Sequence, residues 1–206
     1  MKILFVGPGL LPIPPKGWGG IEHLVWDMRL ALTKLNHDVK IVNTTNPKEI
    51  IYEINNYRPD FVHVQYDDWV LLCPYIQYPC AISTHFAYIE QVEKMADYKQ
   101  RVFDHYPRVK PNIFALSDGI IKTYRSVGVP DKKLFLTPNG LDIDAYTFTE
   151  TPKYPNRSIC IGKIEDRKKQ YFLQGVDSLW FAGNIADSRF DQSKNYLGEL
   201  PKTKIK

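Results

Sequence analysis

The stretch running from Lys2 to Asn43, KILFVGPGLLPIPPKGWGGIEHLVWDMRLALTKLNHDVKIVN, decides the fold. Lys2–Gly7 is apolar almost throughout, as a parallel strand covered on both faces must be. Glu22–Leu35 places Leu24, Val25, Met28, Leu32 and Leu35 at helical spacing. Val39–Asn43 is a second apolar run. Strand, helix and strand in this order form a βαβ unit, because two parallel strands need a crossover between them.

The same alternation continues. Pro47–Tyr57 sets Ile50, Ile51 and Ile54 on one helical face. Asp60–Val64 and Cys80–Thr84 read as strands, Tyr88–His105 as a longer helix, and Asn112–Leu116 as a strand. Asp118–Ser126 is a helix stopped by Gly128 and Pro130, and Leu134–Thr137 is a last short strand. The spacing predicts a doubly wound parallel sheet of the Rossmann-like α/β class over residues 1–150. Ligands of such a sheet bind at the carboxyl ends of its strands. Thr149–Asn156, with two prolines and few apolar residues, reads as a linker. A partial second α/β unit follows over 151–206: a strand at Ser158–Lys163, a short helix at Lys168–Gly175 and a strand at Leu179–Ala182. Two strands and one helix are marginal as an independent core. No internal repeat is evident.

Composition narrows the function classes. The 206 residues are 44% hydrophobic and 24% charged, which excludes disordered and fibrous chains. No apolar run reaches the ~20 residues that span a bilayer. The N-terminal apolar run is short and broken by Pro12, Pro14 and Pro15, unlike a signal peptide, so a cytoplasmic location is expected. Cys73, Cys80 and Cys160 form neither a disulfide framework nor a zinc motif, and read as small core residues. The net charge of +4 is uneven. Residues 1–150 hold 16 Lys+Arg against 17 Asp+Glu, whereas 151–206 hold 11 against 6. A basic segment suits phosphate, nucleic acid or an anionic membrane surface, or is simply solvated.

Three constellations carry chemistry. Pro12–Glu22 puts Gly17, Gly19 and Gly20 between a strand and a helix, where free backbone N–H groups and the helix dipole suit an anion. The competing reading is a proline-rich turn, with Glu22 as a first-turn helix acid. His85 ends the run CAIST and stands at the expected carboxyl end of a strand. It is either a hydrogen-bond donor to a ligand or a satisfied structural histidine. His63 lies inside a strand and reads as structural. Gly162–Lys169 gathers Lys163, Arg167, Lys168 and Lys169 at a strand-to-helix turn, which suits a diphosphate or is a solvated basic turn. The acid pairs Asp67-Asp68 and Asp142-Ile-Asp144 lack the further carboxylates of a metal site and read as solvated loop acids.

Taken in order, these segments resemble the retaining GT-B glycosyltransferases of family 4. Gly17-Trp-Gly-Gly-Ile-Glu22 resembles that family's glycine loop, and Ile82-Ser-Thr-His85 the strand that ends in its active-site histidine. The stretch from Ala115-Leu-Ser-Asp118 to Thr137-Pro-Asn-Gly-Leu-Asp142 resembles the segment that closes the N-terminal domain. Ile161-Gly-Lys163-Ile-Glu-Asp-Arg-Lys168 resembles the start of the nucleotide-sugar domain. The resemblance spans about residues 1–185.

It implies that Gly19 and Gly20 face the donor diphosphate or the acceptor, with Glu22 and His85 at the catalytic end and His85 hydrogen-bonded to the donor sugar. Lys163, Arg167 and Lys168 would stabilise the leaving diphosphate in place of a metal. No cofactor and no metal are expected. Lys163 stands where the family usually has Arg, which loses the bidentate fork. The family also carries a closely spaced glutamate pair for donor sugar and ribose, whereas only Glu165 and Glu199 follow the linker here.

Three function classes follow: a sugar-transferring enzyme taking a nucleotide-sugar and a glycan acceptor, a non-catalytic glycan- or partner-binding remnant, and a nucleic-acid or membrane-surface binder. The diphosphate reading already accounts for the basic cluster, so nucleic acid is not expected; peripheral membrane contact stays open. An incomplete second unit would leave an apolar edge, so a homo-oligomer or a complementary C-terminal half is the expected partner.

Overall fold

The computed structural model describes residues 1–140, 143–146, 148–201 and 204. They group into two compact units, Met1–Pro15 with Gly19–Gly140, and Lys16–Trp18 with Leu141–Lys206.

The first unit is built on six parallel strands. They are β1 (Lys2–Val6), β2 (Asp38–Val42), β3 (Phe61–Val64), β4 (Cys80–Thr84), β5 (Asn112–Ala115) and β6 (Leu134–Leu136), in the spatial order β2-β1-β3-β4-β5-β6. The order reverses at β1, so the crevice between the carboxyl ends of β1 and β3 is the switch point. The sheet is covered on both faces. Leu4 and Val6 point into one cluster with Ile50, Ile54, Val62, Ile82, Ile113 and Tyr124, while Ile3 and Phe5 point into another with Val25 and Val39. This is the two-residue period of a strand buried on both sides.

Local chemistry sets the crossovers. Helix α1 (Gly20–Lys34) starts at Gly19, whose φ of 145° is natural only for glycine. Helix α2 (Pro47–Tyr57) has proline in its first turn, and the Asn46 side chain accepts from the Lys48 N–H at 3.0 Å. It ends at Arg58, in the left-handed conformation.

The helix expected over Tyr88–His105 is broken into a 3₁₀ segment (Ala87–Lys94), α3 (Ala96–Arg101), a 3₁₀ turn (Phe103–His105) and then α4 (Tyr106–Val109). The backbone leaves helical geometry at Gln91, Met95 and Val102. The breaks let one wandering segment bury Ile89, Val92, Tyr98, Val102, Phe103 and Tyr106. Helix α5 (Asp118–Ser126) lies as the sequence predicts, its first turn closed by the Ser117 hydroxyl accepting from the Ile120 N–H at 3.1 Å.

The second unit pairs β7 (Ser158–Ile161) with β8 (Leu179–Ala182) in parallel over a small core of Ile164, Phe181 and Phe190. The helix expected at Lys168–Gly175 is instead two 3₁₀ turns, Asp166–Lys168 and Gln170–Leu173. Thr149–Asn156 forms no helix or strand and is exposed. The pairing also reveals a short likeness that the linear sequence hides. Ile161-Gly-Lys-Ile-Glu-Asp166 runs in register beside Ala182-Gly-Asn-Ile-Ala-Asp187, with Ile161 opposite Ala182 and Ile164 opposite Ile185.

Candidate functional site

In the first unit the carboxyl ends of β1, β3 and β4 carry a concentration of polar side chains. Asn43, just past β2, organises the loop after β1: it accepts from the Gly9 N–H at 2.8 Å and donates to the Leu11 carbonyl at 2.8 Å. The Trp69 indole N–H donates to the Gly7 carbonyl at 3.1 Å. Gly19 and Gly20 open α1, and the space where a side chain on Gly20 would stand is empty. Glu22 is buried and turned back toward the helix start. A Cβ on Gly19 would lie 2.9 Å from its Oε2. A carboxylate is favoured there by the helix dipole, so Glu22 competes for the position an incoming anion would take.

His85 follows β4. Its Nε2 meets Gln65 Oε1 at 2.8 Å, and Gln65 is fully buried. Burial lowers the imidazole pKa to about 4, so His85 is neutral at physiological pH. With the amide placed this way, Nε2–H is the donor and Nδ1 is left as an acceptor. His63 is structural, as its place in a strand implies. It pairs with the Ser83 hydroxyl at 2.7 Å and packs against the rings of Phe5 and Phe114. Burial, and to a lesser degree His85, lowers its pKa to about 3.

Asp67 and Asp68 correct the expectation of solvated loop acids. The segment Asp67–Tyr75 is a 3₁₀ helix against the sheet, and Asp67 is 1% exposed. The Tyr98 hydroxyl donates to Asp67 Oδ2 at 2.5 Å. The Thr84 hydroxyl, 2.5 Å from the Tyr124 hydroxyl, lies close by. Burial pushes the Asp67 pKa up to about 7, against the opposing pull of Tyr98 and Thr84. Asp68 is ion-paired with Arg101. Both acids are held by partners distant in sequence, which is why they looked like free loop residues. Of the other pair, Asp142 lies outside the described residues and Asp144 is exposed. Among the described residues no group of three or more His, Cys, Asp or Glu is disposed to hold a metal ion.

In the second unit Arg167 and Lys168 converge on Glu165 just past β7, while the Lys163 ammonium lies 5.0 Å from the Trp18 ring centroid. Gly162, with φ 141°, ends the strand, and Lys168 Nζ turns back to donate to the Lys163 carbonyl at 3.1 Å. A Cβ on Gly162 would sit 3.4 Å from that ammonium. Glu165 partly offsets the charge: its Oε1 is 2.6 Å from Arg167 Nη2 and 3.6 Å from Lys168 Nζ. Lys169 pairs with Asp166 at 2.6 Å, and Arg189 bridges Asp166 and Asp187. Lys169 and then Arg189 hold the Asp166 carboxyl below its ordinary range, and Arg189 does the same to Asp187.

The sequence-predicted residues thus form two groups. Gly19, Gly20, Glu22 and His85 belong to the first unit, and Lys163, Arg167 and Lys168 to the second. Sequence reasoning missed Asn43, Gln65, Asp67 and Tyr98. For Asn43 and Gln65 a signal existed, since each is a polar residue at the end of an apolar strand run. For Asp67 and Tyr98 none did, because their pairing is tertiary.

No family model matches the chain, and no curated protein matches it. Solved structures do. The chain is similar to Alr3699/HepE of Anabaena, solved in complex with UDP-glucose, at 15% identity and a TM-score of 0.62, covering 98% of this chain and 70% of that one. The same protein in complex with UDP and glucose gives 14% identity, a TM-score of 0.62 and the same coverage. The UDP-GlcNAc 2-epimerase of Methanocaldococcus jannaschii gives 11% identity and a TM-score of 0.56, over 100% of this chain and 75% of that one. At these identities the likeness establishes a shared Rossmann-like α/β fold of the GT-B kind.

Proposed function

We propose that the chain acts in sugar transfer, moving a sugar from a nucleotide-sugar donor to a glycan or other hydroxyl-bearing acceptor. The observation that carries this reading is the turn after β7. The Lys168 ammonium reaches back to the Lys163 carbonyl at the end of a parallel strand, beside Gly162, which has no side chain at the approach. A fixed ammonium group there stabilises the charge that grows on a departing diphosphate, which is the work a divalent metal does elsewhere. The reading is therefore metal-independent. It gives the neutral His85 a donor-sugar hydroxyl to bind, and Gly19 and Gly20 backbone N–H groups for a phosphate or the acceptor. Retention of anomeric configuration belongs to the same reading and is tested by NMR of the first-formed product. That two similar structures were solved with UDP-glucose, or with UDP and glucose, supports the choice of donor class.

The test is a thermal-shift titration with UDP, GDP, ADP and their sugar conjugates, with and without chelator. A site filled at 100 times its Kd adds about 2.7 kcal/mol, several degrees for a domain of this size. One base should give a shift that chelator leaves intact and that Lys168→Ala removes. A second reading, a non-catalytic glycan- or partner-binding relative, is favoured by Glu165, which already neutralises part of the basic turn. It predicts no shift with any nucleotide.

A further inference from the structure

The first unit contains a cleft of about 450 Å³ at the carboxyl ends of β3 and β4, within the size range of small-ligand pockets. Its walls include Tyr66, Asp67 and Asp68 from the segment after β3, Phe86 from the segment after β4, and Tyr98 and Arg101 from α3. The chemistry of these walls is specific. Asp67 Oδ1 is buried and makes no hydrogen bond, although Oδ2 is held by Tyr98. The nearby Thr84 hydroxyl, which also meets the Tyr124 hydroxyl at 2.5 Å, favours the Asp67 charge. A buried carboxyl oxygen without a donor is costly, and a ligand hydroxyl would relieve that cost.

The remaining groups disfavour an anion. Arg101 pairs with Asp68 and lies 3.6 Å from Asp97, so its charge is already matched by two carboxylates. Lys94, which also lines the cleft, donates to Gln91 Oε1 at 3.1 Å. The rings of Tyr66 and Phe86, which also line the cleft, meet edge to face, with centroids 6.4 Å apart at 71°, and offer apolar surface. Carboxyl acceptors and aromatic surface in one cleft suit a ligand with hydroxyls on its edge and C–H groups on its face.

We propose that this cleft binds a neutral sugar, whose hydroxyls are received by the Asp67 and Asp68 carboxyls and whose C–H face rests on Tyr66 and Phe86. Assigning that sugar to the acceptor side of a transfer reaction rests on the function proposed above; the chemistry of the cleft does not.

The experiment is ligand-observed saturation-transfer NMR on the full chain at neutral pH, with methyl α-D-glucopyranoside, methyl α-D-mannopyranoside, methyl α-D-galactopyranoside, N-acetylglucosamine and, as a cationic control, glucosamine. At least one neutral sugar should bind. Asp67→Leu should weaken it roughly tenfold, as loss of a hydrogen bond in a buried site does. Asp67 is buried, so Tyr66→Ala on the cleft wall is the companion variant, and it too should weaken binding. The proposal is overturned if no neutral sugar binds, if glucosamine alone binds, or if affinity is unchanged in a folded variant. A nucleotide thermal shift without sugar binding ends this inference and leaves the transfer reading standing. Sugar binding without any nucleotide shift does the reverse.

Discussion

At the scale of single residues, the unusual feature is a carboxyl group that holds its proton close to neutrality. Asp67 has a pKa near 7 in the folded chain because burial penalises its charge, against about 3.9 when unfolded. The folded state therefore binds the extra proton between those two values. Stability from this group is full below about pH 4 and is lost as pH rises toward 7, a difference on the order of 4 kcal/mol. The buried His63 and His85 act in the opposite sense. Their folded pKa values near 3 and 4 lie below the ordinary 6.5, so they cost stability as pH falls from about 6.5. Together these groups place the stability maximum close to neutrality. Asp67→Asn keeps an acceptor for Tyr98 and removes the titration. Its melting temperature should gain on the wild type as pH rises from 4 to 7 and run parallel above that. Profiles that stay parallel throughout would show that Asp67 does not titrate in this range.

At the scale of elements, the ends of the strands carry the constraints. β7 and β8 both stop at glycines with positive φ, Gly162 at 141° and Gly183 at 146°. A Cβ on Gly183 would lie 2.1 Å from the Gly162 carbonyl oxygen, so the two strand ends approach too closely for any side chain. Gly183→Ala should therefore cost about 3 kcal/mol or more, from backbone strain and overpacking together. With a core as small as the Ile164, Phe181 and Phe190 cluster, the second unit should lose its fold. Limited proteolysis would then cut residues 157–201 while the first unit stays resistant. Gly175→Ala is the matched control: nothing stands within 4 Å of its added Cβ, and its proteolysis pattern should not change. Equal resistance of both variants would show that the β7–β8 approach is looser than the geometry implies.

At the scale of the whole molecule, two strands leave apolar side chains in solvent: Phe135 and Leu136 on β6, and Ile159 and Ile161 on β7. Exposed apolar strands of this kind favour association. Sedimentation velocity should therefore find a dimer or larger species whose fraction rises with concentration, and a monomer at every concentration would end that expectation. Among the described residues no helix is long and apolar enough to cross a membrane.

Much of this fold is local information. The apolar runs at residues 2–6, 38–42, 61–64, 80–84 and 112–115 are strands because both faces of a parallel sheet are dry, and short-range pattern alone reports that. Asn46 with Pro47, and Ser117, announce helix starts through chemistry confined to one turn. The glycine-lysine turn after β7 was legible for the same reason, since its parts lie within a few residues of one another. What only the tertiary structure decided is everything that depends on a distant partner. Tyr98 stands 31 residues from Asp67, and Tyr124 stands 40 from Thr84. Burial by those distant segments makes Asp67 a group near neutrality in the lining of a cleft, where the sequence alone shows an ordinary loop acid. The helix expected over 88–105 broke because burying Tyr98, Phe103 and Tyr106 outweighed continuous helical hydrogen bonding. Periodicity records which residues want to leave water, and the fold decides what they meet when they do.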